Sequence, residues 1–490
     1  MFALVNSVDD MKYTAYIYLL FTCLLLNSCS KNDGSKLFER SVSIAWIEDT
    51  MRKNYYWYKE IPEADKLVYT MEETAFFSTL LSNKDGKDYY SGSEKNHYFY
   101  STINKAQDAS LPNTRATGAS TLMYGFEFFY IYNSTSRTEI QALVQYIIKD
   151  SPAAESGLKR GDWITQINDK AITTADMDIL QSGGGISLTV ERWSSDQRRF
   201  VTHPEKIYVP AARMVTDNPV YKAEVITSSE TGKKVGYLVY NHFTAGVNTN
   251  DETYDNELRR LSGTVFDGVN EFVLDLRYNN GGSLSSALVL CAMLAPQSAL
   301  EKPFCYLQFN DKHSPREEEY KAGSKQLIPN GKNLNISTLY VLTSYETASA
   351  SEMIINSLRP YMNVVVIGEQ TEGKNVGSRL YTSSDKKWEM HPIVCQISNS
   401  EKYSDYANGF SPDYELYEAF IPTVANPNQV IPVEVHELGD KNERLLNVAL
   451  NLIDGIIVNI RSNLILEDAP TFPITRYNSI DRKATLLMIN

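Results

Sequence analysis

The stretch Leu342-Thr343-Ser344-Tyr345-Glu346-Thr347-Ala348-Ser349-Ala350-Ser351-Glu352 reads as a strand end, a turn of small residues and a helix start. Leu339–Leu342 is an apolar run of buried-strand type, and Ser351–Leu358 has helical character. A serine at such a strand-to-helix turn can aim its Oγ into a groove, with the N–H of the next residue facing the same space. Ser349-x-x-Glu352 also fits a capping box, and for this stretch taken alone the cap is the better reading.

The same pattern recurs on both sides. Leu274-Asp275-Leu276-Arg277-Tyr278-Asn279-Asn280-Gly281-Gly282 carries a strand, Phe272–Leu276, through a glycine turn into a helix, Leu284–Leu294. Backbone N–H groups beside a helix N-terminus can hold an anionic oxygen, although for this segment taken alone a plain tight turn is the better reading. Gly368-Glu369-Gln370-Thr371-Glu372-Gly373-Lys374 follows the strand Val364–Ile367. Taken alone its lysine reads as a surface charge, and the spacing is not that of a Walker loop. With the strand Val235–Tyr240, the helix Asp255–Ser262 and a late amphipathic helix over Asn442–Ile457, the alternation from Lys206 onward predicts an α/β unit.

Upstream, Asp150-Ser151-Pro152-Ala153-Ala154-Glu155-Ser156-Gly157-Leu158-Lys159-Arg160-Gly161-Asp162 leads into the strand Trp163–Asn168. A short helix over Ala153–Ser156 ends at Gly157. Strands over Phe126–Tyr132, Ile140–Ile148 and Ile186–Arg192 surround it. The block resembles a PDZ domain, which implies that a peptide adds as a strand to an open sheet edge. Its terminal carboxylate would meet backbone N–H groups of a loop formed here by Tyr124, Gly125 and Phe126. A structural β-domain without a ligand is the alternative.

From Leu37 to about Ser101 apolar residues recur at helical spacing, as at Ile44, Ile47 and Met51 and again over Met71–Leu81, so a helical unit is expected. Asn104–Ser120 reads as a linker. At the N-terminus Lys12 precedes an apolar run, Tyr13–Leu26, too short for a comfortable membrane span. Leu26-Asn27-Ser28-Cys29 resembles the lipobox of bacterial lipoproteins, which implies a lipid on Cys29; an ordinary cleaved signal is the other reading. Asp9 and Asp10 sit badly in a basic leader, so translation is expected to start at Met11.

A net charge of −13 argues against nucleic acid as a partner, since phosphate binding needs a basic face. Cys291, Cys305 and Cys395 form no metal pattern and read as buried small hydrophobes, with one disulfide among them left open. No metal or cofactor is expected.

Taken in order, the Asn-Gly-Gly turn, Ala-Ser-Ala-Ser-Glu and Gly-Glu-x-Thr-x-Gly-Lys resemble the carboxyl-terminal processing (tail-specific) serine proteases, over about Leu122 to Ile456. Lys374 follows Ser349 by 25 residues, as in that family. The resemblance implies a multidomain α+β chain: a small helical N-terminal domain, a PDZ β-domain and an α/β protease core of the ClpP/crotonase-like type. The divisions are a lipoprotein signal over 1–29, tether and helical domain over 30–112, PDZ domain over 113–205, protease core over 206–460 and a tail over 461–490. It further implies Ser349 as nucleophile, Lys374 as a neutral base, and an oxyanion hole from the N–H groups of Ala350 and of Gly281 or Gly282. Where family members often carry a glutamine that orients the lysine, this chain has Ser378, which would take that part; an acidic residue usual eleven positions after the nucleophile is Pro360 here. Expected partners are polypeptides with free C-termini and, through Cys29, a membrane of the bacterial cell envelope; the oligomeric state is left open. Two other readings are kept: a tricorn-like protease using His242, and an inactive peptide-binding lipoprotein on a protease fold.

Overall fold

The computed structural model describes residues 41–91, 94–106, 121–132, 138–248, 250–423, 429–458, 472–473, 476–478 and 487–488. The apolar leader, Cys29 and most of the 104–120 linker lie outside them.

Six strands form the central sheet, in the order Val220–Thr227, Lys234–Tyr240, Glu271–Asp275, Thr338–Thr343, Asn363–Gly368 and Tyr414–Glu415. The first pair is antiparallel and every later pair parallel. Their near-continuous apolar runs follow from burial on both faces, as parallel sheets require. The helix Leu284–Leu294 covers one face and the helix Arg444–Ile453 the other. Leu284–Leu294 is apolar all round because it is wedged between this sheet and a second one. The second sheet runs Gly282–Ser283, Leu487–Met488, Val376–Ser378, Ile393–Asn399, Pro303–Phe309 and Glu317–Lys321. The strands 271–275, 338–343 and 363–368 are adjacent and parallel, so the turns that follow them, 276–282, 344–349 and 369–374, gather at one edge. Crevices outside the carboxyl ends of such strands are where α/β proteins place their sites.

The PDZ-like block is an antiparallel sheet in the order Arg199–Thr202, Ile186–Ser194, Trp163–Ile167, Lys170–Thr173, Glu139–Ile147, Phe126–Tyr132 and Arg476–Asn478. Ser151 Oγ accepts from Ala154 N–H at 3.2 Å and opens the helix Pro152–Ser156, which stops at Gly157. Two buried side chains, Gln145 and Arg160, mount the block on the core. Gln145 Nε2 donates to Glu346 Oε1 at 3.1 Å, and Arg160 donates to the Tyr278 hydroxyl and to His436 O, the latter at 2.8 Å.

The N-terminal unit departs from the expected pattern beyond residue 78. Helices Val42–Asn54 and Glu73–Ser78 form, but Lys87–Ser91 and Glu94–Tyr98 pair as an antiparallel hairpin. Tyrosine-rich runs on either side of Gly92-Ser93 favour strands, and that local preference prevails over a helical period. Asn104 and Lys105, expected in a linker, pair with Glu389 and Trp388 of the core. Cys291, Cys305 and Cys395 are all buried and free, so the disulfide left open by the sequence is not formed.

Beneath the glycine turn lies a buried charge cluster. Arg277 donates to Asp275 at 2.9 Å through Nε and Nη2, to Glu443 at 2.7 and 2.9 Å, and to Glu418 at 2.9 Å. Glu443 also caps the helix 444–453 through Leu446 N–H, at 2.9 Å. Burial pushes its carboxyl up, but Arg277 outweighs this and holds it at about 2. Replacing Arg277 by Ala leaves Asp275 and Glu443 without their cation, while Glu418 keeps Arg160, and should cost about 3–5 kcal/mol of stability. Urea unfolding of the full chain measures this; a loss below about 1 kcal/mol would show that the cluster does not support the turn.

Candidate active site

Ser349 stands at the mouth of the helix Ala350–Leu358 with φ 61° and ψ −113°, a conformation that costs a residue with a side chain about 1–3 kcal/mol. Only half of the expected capping box is made. Ser349 N–H donates to Glu352 Oε2 at 2.9 Å, while Ser349 Oγ makes no cap bond and has no hydrogen-bond partner. A buried hydroxyl left unpaired is costly, so capping does not account for this serine.

Glu352 does more than close the helix. Oε2 also accepts from Lys374 N–H at 2.8 Å, and Oε1 accepts from Gly373 N–H and from Thr371 Oγ1, each at 2.6 Å. One carboxylate thus joins the backbone of the serine turn to the backbone of the lysine turn. It is fully buried, and burial pushes its carboxyl up to about 7 against the four bonds it accepts.

Lys374 is fully buried as well, and its Nζ has no hydrogen-bond partner. It lies 4.7 Å from the centroid of the Tyr100 ring. Burial lowers its pKa from 10.5 to about 8, with Asp85, Glu372 and Glu352 pulling the other way. His391 Nδ1 is buried without a partner, and burial together with the Lys374 charge holds this imidazole down at about 4. The N-terminal unit supplies one wall. Asp85 accepts from the Tyr55 hydroxyl at 2.9 Å and from the N–H groups of Tyr100 and Ser101 at 3.0 and 3.1 Å. The hydroxyls of Tyr98 and Tyr100 donate to Glu372, and Lys87 Nζ to the Glu372 carbonyl.

The glycine turn reaches the serine as expected. A Cβ on Gly281, whose φ is +113°, would stand 2.7 Å from Ser349 Cβ and 3.1 Å from its Oγ, so only glycine fits. Gly281 N–H, however, donates to Asn279 Oδ1 at 2.9 Å and is spent within the turn. Gly282 pairs with Leu487 across the strand ladder. Ala350 opens its helix, so its N–H lies outside the intrahelical ladder. Gly373 needs its φ of +94° because a Cβ there would strike Ala407 O and Gly409 N, at 2.3 and 2.4 Å.

Ser378 is buried on the strand 376–378, but Lys374 Nζ takes no hydrogen bond, so the orienting bond expected from Ser378 is not made. The chain instead sets the lysine through its own N–H on Glu352 and through the Tyr100 ring. His242 is buried, and its ring nitrogens meet Thr244 Oγ1 at 2.9 Å and Asp217 O at 3.2 Å, not Ser349. In the PDZ-like block, Tyr124 and Gly125 carbonyls accept from Ala153 and Ile148 N–H at 2.9 and 2.8 Å, and Phe126 begins the strand Phe126–Tyr132, which Arg476–Asn478 flanks. Among the described residues, no three His, Cys, Asp or Glu side chains gather as around a metal. Asp85, Tyr100 and His391 were not singled out by the sequence; only Glu352 carried a local signal, as the far end of the capping pattern.

Glu352→Ala should leave three backbone N–H groups and the Thr371 hydroxyl unpaired in the interior. At about 1–3 kcal/mol for each buried unpaired group, the loss should reach about 4 kcal/mol or more, and Glu352→Gln should cost less because one acceptor oxygen remains. Denaturant melts of the two variants check this; equal stability of Ala and Gln would show that the carboxylate is not the tie.

A family model described as peptidase family S41 matches residues 234–416, one for the S41 N-terminal domain matches 44–102, and one for a PDZ domain matches 143–192. A CtpA-like serine protease of Staphylococcus saprophyticus is 24% identical over 338 residues, covering 66% of this chain and 60% of its own. A carboxyl-terminal-processing protease of a Picosynechococcus species is 27% identical over 243 residues, covering 48% and 51%. The chain therefore spans between half and three-fifths of the length of these curated relatives. A crystal structure described as an S41 protease from Bacteroides fragilis is 34% identical, with a TM-score of 0.70, over 84% of this chain and 98% of that one. On identity of that extent, with the N-terminal, PDZ and core matches in the same order along the sequence, the chain belongs to peptidase family S41.

Proposed function

We propose that the chain is a serine endopeptidase of the carboxyl-terminal-processing type, with Ser349 as nucleophile and Lys374 as base. The observation that carries this reading is the pair itself. Ser349 Oγ and Lys374 Nζ are both buried and unbonded, on backbones held by the same Glu352 oxygen. Burial without a partner is expensive for either group. Such expense is ordinary at a catalytic site, where a lysine poised near neutrality serves as base.

In acylation, Lys374 Nζ takes the proton of Ser349 Oγ as the oxygen attacks the peptide carbonyl carbon. This step needs the two groups within hydrogen-bond reach, and neither is held by another partner. The oxyanion faces Ala350 N–H, with Gly282 the second donor once its ladder pairing is released; each donor is worth roughly 3 kcal/mol at the transition state. Collapse breaks the C–N bond, and the Lys374 ammonium delivers the proton to the departing amine. Water then gives a proton to Lys374 and attacks the ester carbon; the C–Oγ bond breaks, Lys374 returns the proton to Ser349 Oγ, and the new carboxyl end leaves. The PDZ-like edge beside Tyr124, Gly125 and Phe126 supplies a strand-addition site for a polypeptide end, and the Gln145–Glu346 bond connects it to the turn that holds Ser349. Anchorage through a lipid on Cys29 at the bacterial envelope remains part of the proposal.

Ser349→Ala and Lys374→Ala should each abolish cleavage of an unstructured polypeptide while the thermal melt persists, and His242→Ala should retain it. Cleavage by all of them alike, or by none including the parent, would contradict the dyad. Because only neutral Lys374 accepts a proton, log kcat/KM should rise with unit slope up to about pH 8 and then level. Asp85→Asn removes a charge that favours the ammonium, so the rising limb should move to lower pH; a shift to higher pH would contradict this placement of charge.

A further inference from the structure

We infer that the strands Arg476–Asn478 and Leu487–Met488 act as intramolecular peptide ligands that occupy the two strand-accepting sites argued above and hold the peptidase closed. The inference rests on the function proposed above.

One strand lies in the crevice. The strand Gly282–Ser283 leaves the glycine turn that touches Ser349, and the strand Val376–Ser378 begins two residues after Lys374. Leu487–Met488 lies between them, parallel to both: Gly282 faces Leu487, and Ser283 and Ser378 both face Met488. These two residues are the middle strand that makes the flanks one sheet. An extended polypeptide bound for cleavage beside Ser349 would need the same backbone groups. Ser349 and Lys374 are fully buried with the segment in place, so substrate can enter only if something leaves.

The other strand lies on the PDZ-like edge. Arg476–Asn478 pairs antiparallel with the outermost strand, Arg476 opposite Ile131 and Asn478 opposite Phe129. The segment therefore runs toward Phe126 and the Tyr124-Gly125 loop, the direction in which a bound peptide end would approach it. Both contacts are made through main-chain strand pairing, which tolerates many sequences. Covalent attachment gives a short segment an effective concentration on the order of mM, so even a weak strand outcompetes dilute polypeptide. A substrate that engages both sites at once displaces it.

The test uses the full chain. Leu487→Pro/Met488→Pro removes two backbone donors and fixes φ, so strand addition in the crevice is lost. In a Ser349→Ala background, hydrogen–deuterium exchange at Gly282 and 376–378 should quicken in this variant, with Ser283, whose N–H donates to Phe243 O at 2.8 Å, as the unaffected control; unchanged protection overturns occupancy. With Ser349 intact, kcat/KM for an unstructured polypeptide should rise roughly tenfold, mainly through KM. An unchanged or lower kcat/KM with a native melt overturns the inhibitory role even if exchange quickens. Tyr477→Pro/Asn478→Pro should likewise tighten binding of a labelled apolar peptide to the PDZ-like edge, and unaltered binding counts against that contact. If neither catalytically intact protein cleaves anything, the peptidase reading fails and the inhibitory role with it, while the exchange result alone decides occupancy.

Discussion

The Glu352 carboxylate is the constraint on which the site depends. Two strands of a parallel sheet end side by side, and each releases a turn that leaves some backbone N–H groups without a backbone partner. A single side chain, one helical turn into the helix 350–358, satisfies Ser349 on one turn and Gly373 and Lys374 on the other. The two reactive side chains need no bond between them to be placed together, because their backbones are already tied. That arrangement frees Ser349 Oγ and Lys374 Nζ, whose lack of partners would otherwise be a defect of the interior.

A second layer surrounds the lysine. The N-terminal unit closes over the 369–374 turn with Tyr98, Tyr100 and Lys87 on Glu372, and it places Asp85 in the field of Lys374. The desolvation that lowers the lysine is therefore completed by residues nearly three hundred positions away in the chain. On the opposite side, Arg277 and its three carboxylates brace the glycine turn, and Arg160 reaches from the PDZ-like block into the same cluster. The PDZ-like block, the glycine turn and the serine turn share one buried framework.

Much of the fold was legible because local signals agreed with it. The alternation of apolar strands and helices placed Leu284–Leu294 to the residue, and Ser151-Pro152 with Gly157 bounded the short PDZ helix. Ser349 and Lys374 were legible only as a pair at a spacing, since each alone reads as a cap or a surface charge. The roles of Gly281 and Ser378 were read less well: the donor of one is absorbed by Asn279 and the other makes no bond to Lys374. Asp85, Tyr100 and His391 left no local trace, because they come to Lys374 through tertiary closure and not through any spacing along the chain. The hairpin 87–98 was hidden by the helical period that precedes it.

The central claim is that burial turns Lys374 into a base, and the most direct measurement is its titration. With carbon-13 in the lysine side chains and the Lys374 signal identified by its loss in Lys374→Met, the chemical shift of its Cε against pH reports the ionisation of Nζ. The account predicts a midpoint near 8, well below that of the exposed lysines. A midpoint at or above 10.5 would mean that Lys374 stays an ammonium throughout the working range and would contradict it.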